Sequence, residues 1–217
     1  MKKYLLLFLF SQIFYAQENA LVRQNDKFGY INKTGNFSIE PQYKVAKNFS
    51  DGLAAVEKDG KWGFINTKGE MVIAPIYSNA KYFNSGICVV EKDKKWFYIN
   101  KKGEELKMPA SDKVYDFEDG VAFIKVSDKV GLINPKGEII VQPTYQVIKS
   151  FENGFAKVKQ NDKWGIIDNK GKLVVEFIYD EVGSYYKNTT WARSGTAFGL
   201  VIANKFQIEI KIPTGYS

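Results

Sequence analysis

The chain has 217 residues, with 31 lysines and arginines against 24 aspartates and glutamates for a formal charge of +7, and is 45% apolar and 15% aromatic. That composition is globular and excludes disorder, a collagen-like chain and a coiled coil, while the single cysteine, Cys88, excludes an internal disulfide framework. The absence of histidine removes Ser-His-Asp and Cys-His catalysis, His-ligated zinc and imidazole acid–base chemistry.

In chain order, residues 1–16 come first: Lys2 and Lys3, an apolar run from Tyr4 to Phe10, and Ala16 before Gln17. This reads as a secretory signal peptide, because the apolar run is too short to span a bilayer and a small residue precedes the cut. Residues 17–217 are then expected to be one exported β domain, placed in the periplasm, at the outer membrane or outside the cell. No later run approaches the ~18 apolar residues of a transmembrane helix. Losing Lys2 and Lys3 would lower the formal charge from +7 to +5.

From there the sequence repeats. Phe28-Gly29, Trp62-Gly63, Trp96-Phe97, Val130-Gly131, Trp164-Gly165 and Phe198-Gly199 follow one another at 34 residues without a gap. A turn glycine (Gly35, Gly69, Gly103, Gly137, Gly171), a proline (Pro41, Pro75, Pro109, Pro143), a tyrosine (Tyr43, Tyr77, Tyr145, Tyr179) and a ring (Phe49, Phe83, Phe117, Phe151, Tyr185) keep the same beat. The body is therefore a six-unit array.

Within a unit the pattern is β. Leu53 to Glu57 favours a strand, Asp59-Gly60 suits the left-handed dihedrals of a tight hairpin, and Lys61 to Asn66 is a second strand. Thr67-Lys68-Gly69 is a turn, Glu70 to Ala74 a third strand, and about ten residues from Ile76 form a connection. The expected fold is all-β: six three-stranded antiparallel meanders stacked as an open curved array, with a closed propeller-like ring as the alternative. Trp62 and Phe64 point to one side of the central strand, and Gly63 and Ile65 to the other, so this strand lies between layers. The glycine column is read as admitting the neighbouring unit's backbone or ring.

Lys-Trp-Gly-Phe-Ile-Asn at 61–66, its copy at 163–168, the turn glycine, the Pro-x-Tyr segment and Phe-x-x-Gly-Leu-Ala together resemble the WG-repeat, or KWG-repeat, family of bacterial β-repeat proteins. The resemblance covers about residues 18–212 and implies an interaction module more than an activity. Phe97 for Gly, Val130 for Trp and a final unit without the turn glycine depart from the pattern, and the last unit resembles a cap.

The aromatic column and the tyrosine column are read first as structural. Lysines before the aromatic (Lys27, Lys61, Lys95, Lys129, Lys163) and in the turns (Lys68, Lys102, Lys136, Lys170) form rows that keep edges soluble or attract an anionic glycan. The acid pairs Glu118-Asp119 and Asp180-Glu181 are read as solvated turn residues, and Cys88, in the column of Ala54, Ala122 and Ala156, as a core thiol. No cofactor, metal or nucleic-acid site is expected. The candidate recognition patch is where unit six breaks the repeat: Tyr185, Tyr186, Trp191 and Arg193, residue types common at binding hot spots. The function these features point to is a non-catalytic exported scaffold for envelope proteins or peptides. Polysaccharide binding is the alternative, and an Asp/Glu hydrolase the residual one.

Overall fold

A computed structural model describes residues 19–203 and 205–210. The expected signal segment, residues 1–16, and its cut before Gln17 lie outside them. The described residues hold strands, turns and loops and no helix.

Unit two shows how one repeat folds. Leu53–Lys58, Lys61–Asn66 and Met71–Tyr77 form an antiparallel meander. Lys58 pairs with Lys61 around Asp59 and Gly60, whose φ values of 53° and 76° are those of the primed turn that matches strand twist. The second hairpin is closed by a side chain. Asn66 Oδ1 accepts hydrogen bonds from the Lys68 and Glu70 amides at 3.0 Å each, and its Nδ2 donates to Glu70 Oε2 at 2.7 Å. Asn32, Asn100, Asn134 and Asp168 accept in the same way from the amides two and four residues on.

The glycine after the aromatic serves its own unit, not the neighbouring one as the sequence suggested. Trp62 pairs with Tyr77 but Phe64 with Ile73, so the third strand bulges over Gly63. A Cβ there would lie 2.6 Å from the Ile73 carbonyl oxygen and 2.8 Å from the Pro75 nitrogen. Gly29, Gly131 and Gly165 meet their own third strands likewise. Pro75 fits because a bulge asks for no amide proton.

The sheets of units two, three, five and six also gain pairing that was not expected. Part of the connection forms a short fourth strand: Ala46 bridges to Val56, and Asn79–Ala80, Val147–Ile148 and Glu181–Val182 pair with the strand that follows. Two or three residues are too few to show a period of two.

Five buried clusters lie between six units. In one, Tyr30, Ile39 and Phe49 meet Ala54, Val56 and Ile65; in the next, Phe64, Ile73 and Phe83 meet Cys88, Val90 and Ile99. The same columns recur in the other three. Each core is thus built from the trailing face of one unit and the leading face of the next, in the nearest-neighbour manner of repeat proteins. Tilted and edge-on ring pairs such as Tyr30–Phe49 at 4.7 Å and Phe64–Phe83 at 4.9 Å fill the centres. The turn glycine also faces backwards, Gly69 onto Ile39 and Gly103 onto Ile73. The principal sheet-to-sheet contacts run between successive units, so the array is open.

Unit three is the exception. Ile99 bridges to Glu105 and the Leu106 amide donates to the Tyr98 carbonyl at 2.8 Å, after which the third strand is lost. Phe97, standing where other units have glycine, leaves no room for the bulge. Its ring instead packs on Tyr77, and residues 107–117 run irregularly to unit four.

Candidate binding surface

Unit six contains the strand Thr189–Ser194, and its position of Ala55 and Val89 is taken by Trp191. An indole fits there because the facing residue on the short strand is Gly183, where units two, three and five have Lys47, Lys81 and Lys149. The indole of Trp191 lies directly over Gly183, stacks on Phe198 at 5.3 Å and 24°, and remains 38% exposed. Tyr186, 60% exposed, sits in the adjoining turn with Lys187 Nζ 5.2 Å from its ring centre. The positive φ of Lys187 and Asn188 turns the chain back so that Tyr186 pairs with Thr189.

The other two patch residues are placed differently. Tyr185 is only 7% exposed and packs on Phe155 at 4.7 Å, occupying the core position of Phe49 and Phe83. Arg193 Nη2 donates to Glu181 Oε1 at 3.1 Å and Nη1 to the Gly195 carbonyl at 3.1 Å. Asp180 accepts from Lys163 Nζ and from the Gly195 amide, both at 2.6 Å, and these bonds hold its carboxyl below the usual range. The acid pair Asp180-Glu181 is therefore tied into an ion-pair network. Asp119 is a left-handed turn residue at φ 50°, and the Glu118 amide and carbonyl pair with Val121.

The aromatic column is neither fully core nor free. Phe28, Trp62, Val130, Trp164 and Phe198 are half-buried, whereas Trp96, without a third strand beside it, is 38% exposed. Basic groups lie over several of these rings: Arg23 over Phe28 at 5.7 Å, Lys47 over Trp62 at 5.2 Å and Lys81 over Trp96 at 5.8 Å. Lys47 also donates to the Ala80 carbonyl at 2.6 Å, and burial pulls its pKa down. Gly199, like Gly131 and Gly165, is buried within its central strand. Tyr43, Tyr77 and Tyr179 are buried and Tyr145 half-buried. Burial pushes the Cys88 thiol up to about 12. Among the described residues, no three His, Cys, Asp or Glu side chains cluster to hold a metal ion.

Sequence reasoning identified Trp191 by composition and missed Gly183. The signal was available in Gly183, which stands where Lys47, Lys81 and Lys149 recur, eight residues before Trp191.

The sequence profile of the family described as WG containing repeat matches residues 28–62, 62–96, 96–129, 131–164 and 164–195. No curated protein matches the chain. Among solved structures it is similar to a eukaryotic initiation factor at 12% identity and TM-score 0.48, over 89% of this chain and 60% of that one. Hsv2 of Kluyveromyces lactis matches at 13% identity and TM-score 0.38, over 76% and 62%. PorZ, a surface component of the type-IX secretion system of Porphyromonas gingivalis, matches at 6% identity and TM-score 0.38, over 90% and 32%. The chain thus spans less than two thirds of each of these solved chains.

Proposed function

The chain belongs to the WG-repeat family, and on that premise we propose that it is an exported, non-catalytic binding module for envelope proteins or peptides. The observation that carries this reading is Trp191. This indole is stacked on Phe198, lies over Gly183 and is left 38% exposed, with the exposed Tyr186 in the adjoining turn. A rigid half-exposed aromatic pair offers contact area at low entropic cost, as binding hot spots do. The placement of Tyr185 in the core and of Arg193 in an ion-pair network supports a contact surface centred on Tyr186 and Trp191. Export rests on residues 1–16, whose Lys2-Lys3 and short apolar run have the form of a cleaved leader.

A second reading, polysaccharide binding, is favoured by the exposure of Trp96 and by Lys81 over its ring. Such sites would be individually weak and gain from repetition along the array. Hydrolysis by paired acids is disfavoured by the partners that occupy Asp180 and Glu181.

Tryptophan emission separates the two readings. The difference between the wild type and Trp191→Phe isolates the indole of unit six, and Trp96→Phe does the same for unit three. Peptide binding should change only the first, while a glycan ligand should change the second. A ligand that perturbs neither would contradict both.

A further inference from the structure

The connections between units share a polar column of Asn48, Asp116, Ser150 and Ser184, which Tyr82 alone breaks with a ring that is 49% exposed. In the adjoining column Tyr115 stands where Lys47, Lys81 and Lys149 recur. Each of these two tyrosines has a lysine on its ring. Lys47 Nζ lies 5.2 Å from the Tyr82 centroid, and Lys113 Nζ lies 5.2 Å from that of Tyr115. Lys47 is itself held by the Trp62 ring at 5.2 Å and by the Ala80 carbonyl, to which it donates at 2.6 Å. Tyr82 therefore has a fixed neighbour although it lies at the surface.

Two hollows adjoin these rings. The first, of about 300 Å³, is lined by Tyr82 together with Lys47, Lys81, Asn84, Asp116 and Glu118. The second, of about 150 Å³, is lined by Tyr115 and Ser150 and shares Asp116 and Glu118 with the first. The two acids thus stand between two tyrosines. Their charges are balanced by the two lysines, and no other charged side chain among the described residues lines either hollow. Lys81 Nζ donates to Asp116 Oδ2 at 2.8 Å, and Asn84 Oδ1 accepts from the Ser85 hydroxyl at 3.0 Å. The Tyr82 hydroxyl, the Glu118 carboxylate and Asn84 Nδ2 have no hydrogen-bond partner among the described residues.

We infer that the two hollows form one site for an uncharged oligosaccharide, with one sugar ring on Tyr82, the next towards Tyr115, and hydroxyls on Asp116 and Glu118 between them. A sugar ring has an apolar C–H face, which suits the ring of a tyrosine, and an edge of hydroxyls that each donate and accept. Carboxylates only accept and ammonium groups only donate, so neighbouring hydroxyls satisfy Glu118 and Lys81 together. The balanced charge selects a neutral chain over an anionic one, and the shared acids select two linked rings over one. The site rests on the polysaccharide reading and gives it a place, since Lys81 also lies over Trp96. The surface of Tyr186 and Trp191 takes no part in it.

Retention of the purified chain on immobilised oligosaccharides tests this, with neutral probes of glucose, galactose, mannose and N-acetylglucosamine set beside oligomers of uronic acids. The wild type should hold at least one neutral probe, and titration calorimetry with that probe should show ~tenfold weaker binding by Tyr82→Ser and by Glu118→Gln. Tyr82→Ser restores the residue type of Ser150 and Ser184, so its melting temperature should be unchanged. Tyr82→Phe keeps the ring and should bind nearly as the wild type does. Equal binding by the wild type and Tyr82→Ser overturns the site and leaves the polysaccharide reading standing. Retention of the uronic acid oligomers alone overturns the neutral ligand. A chain that holds no probe overturns the inference and the polysaccharide reading together.

Discussion

Phe97 and Tyr77 meet ring to ring, with centroids 6.2 Å apart and planes at 62°, across the junction of units two and three. In unit two the place of Phe97 is held by Gly63, over which the third strand bulges. One substitution in the glycine column therefore coincides with the loss of a strand from one sheet. Gly63→Ala should cost about 1–3 kcal/mol by overpacking, since backbone atoms at 2.6–2.8 Å cannot yield as a side-chain tip would. Urea unfolding measures it. The same change at Gly35 meets no atom within 4 Å and strains only the backbone, whose φ is +81°, so about 1 kcal/mol is expected there.

Alkaline pH should destabilise the fold more steeply than mild acid. Burial raises the pKa of Cys88 to about 12 and raises those of Tyr30, Tyr77 and Tyr98, whereas the unfolded chain releases these protons near ~8.5 for Cys and ~10 for Tyr. The native state then binds more protons than the unfolded state above those values. The stability these groups contribute is present below pH about 8.5 and is lost as pH rises towards 12. Asp128, Asp162 and Asp180 are held low by lysine partners, so their contribution is present at neutral pH and fades as pH falls through the carboxylate range. They lie at the surface, which makes the acid limb shallow. Melting temperature from pH 4 to pH 11 should show the asymmetry.

Cys88 should report opening of the core between units two and three. It is 1% exposed and its thiolate is disfavoured by burial, so iodoacetamide should leave the folded chain unlabelled and modify it fully in denaturant. Mass spectrometry reads the outcome; rapid labelling without denaturant would mean that this junction opens readily.

Gly183→Ala should displace Trp191 from its stack on Phe198 without unfolding the array, because the added methyl would occupy the place of the indole. Near-ultraviolet circular dichroism should lose the signal of the stacked pair, while the far-ultraviolet spectrum stays unchanged. Any ligand held by Trp191 should bind at least tenfold more weakly.

The fold was legible because repetition multiplies weak signals. Asp59-Gly60 alone suggests a hairpin, but turn pairs at the same place in four other units, Asn25-Asp26, Asp93-Lys94, Ser127-Asp128 and Asn161-Asp162, each directly before the strand that carries the repeat's aromatic column, leave one architecture. The short strands at Ala46, Asn79–Ala80 and Glu181–Val182 were not legible, since their pairing is set by the neighbouring sheet and not by their own pattern. The role of the glycine column was misread for a related reason: a bulge is a relation between strands, and no single column records it. At the candidate surface, composition singled out Tyr185, Tyr186, Trp191 and Arg193 together. Burial separates them, because Tyr185 obeys the ring column of Phe49 and Phe83 that the sequence itself displays, and Arg193 is claimed by Glu181, its cross-strand partner.

The most direct test of the binding account is cross-linked capture of the tagged chain from native cell envelope, with wild type and Tyr186→Ala/Trp191→Ala compared side by side and protein and glycan adducts identified together. The account predicts a stoichiometric protein partner that the wild type retains and the double variant loses while keeping its melting temperature. Capture of polysaccharide alone, or of the same protein by both chains, would contradict it.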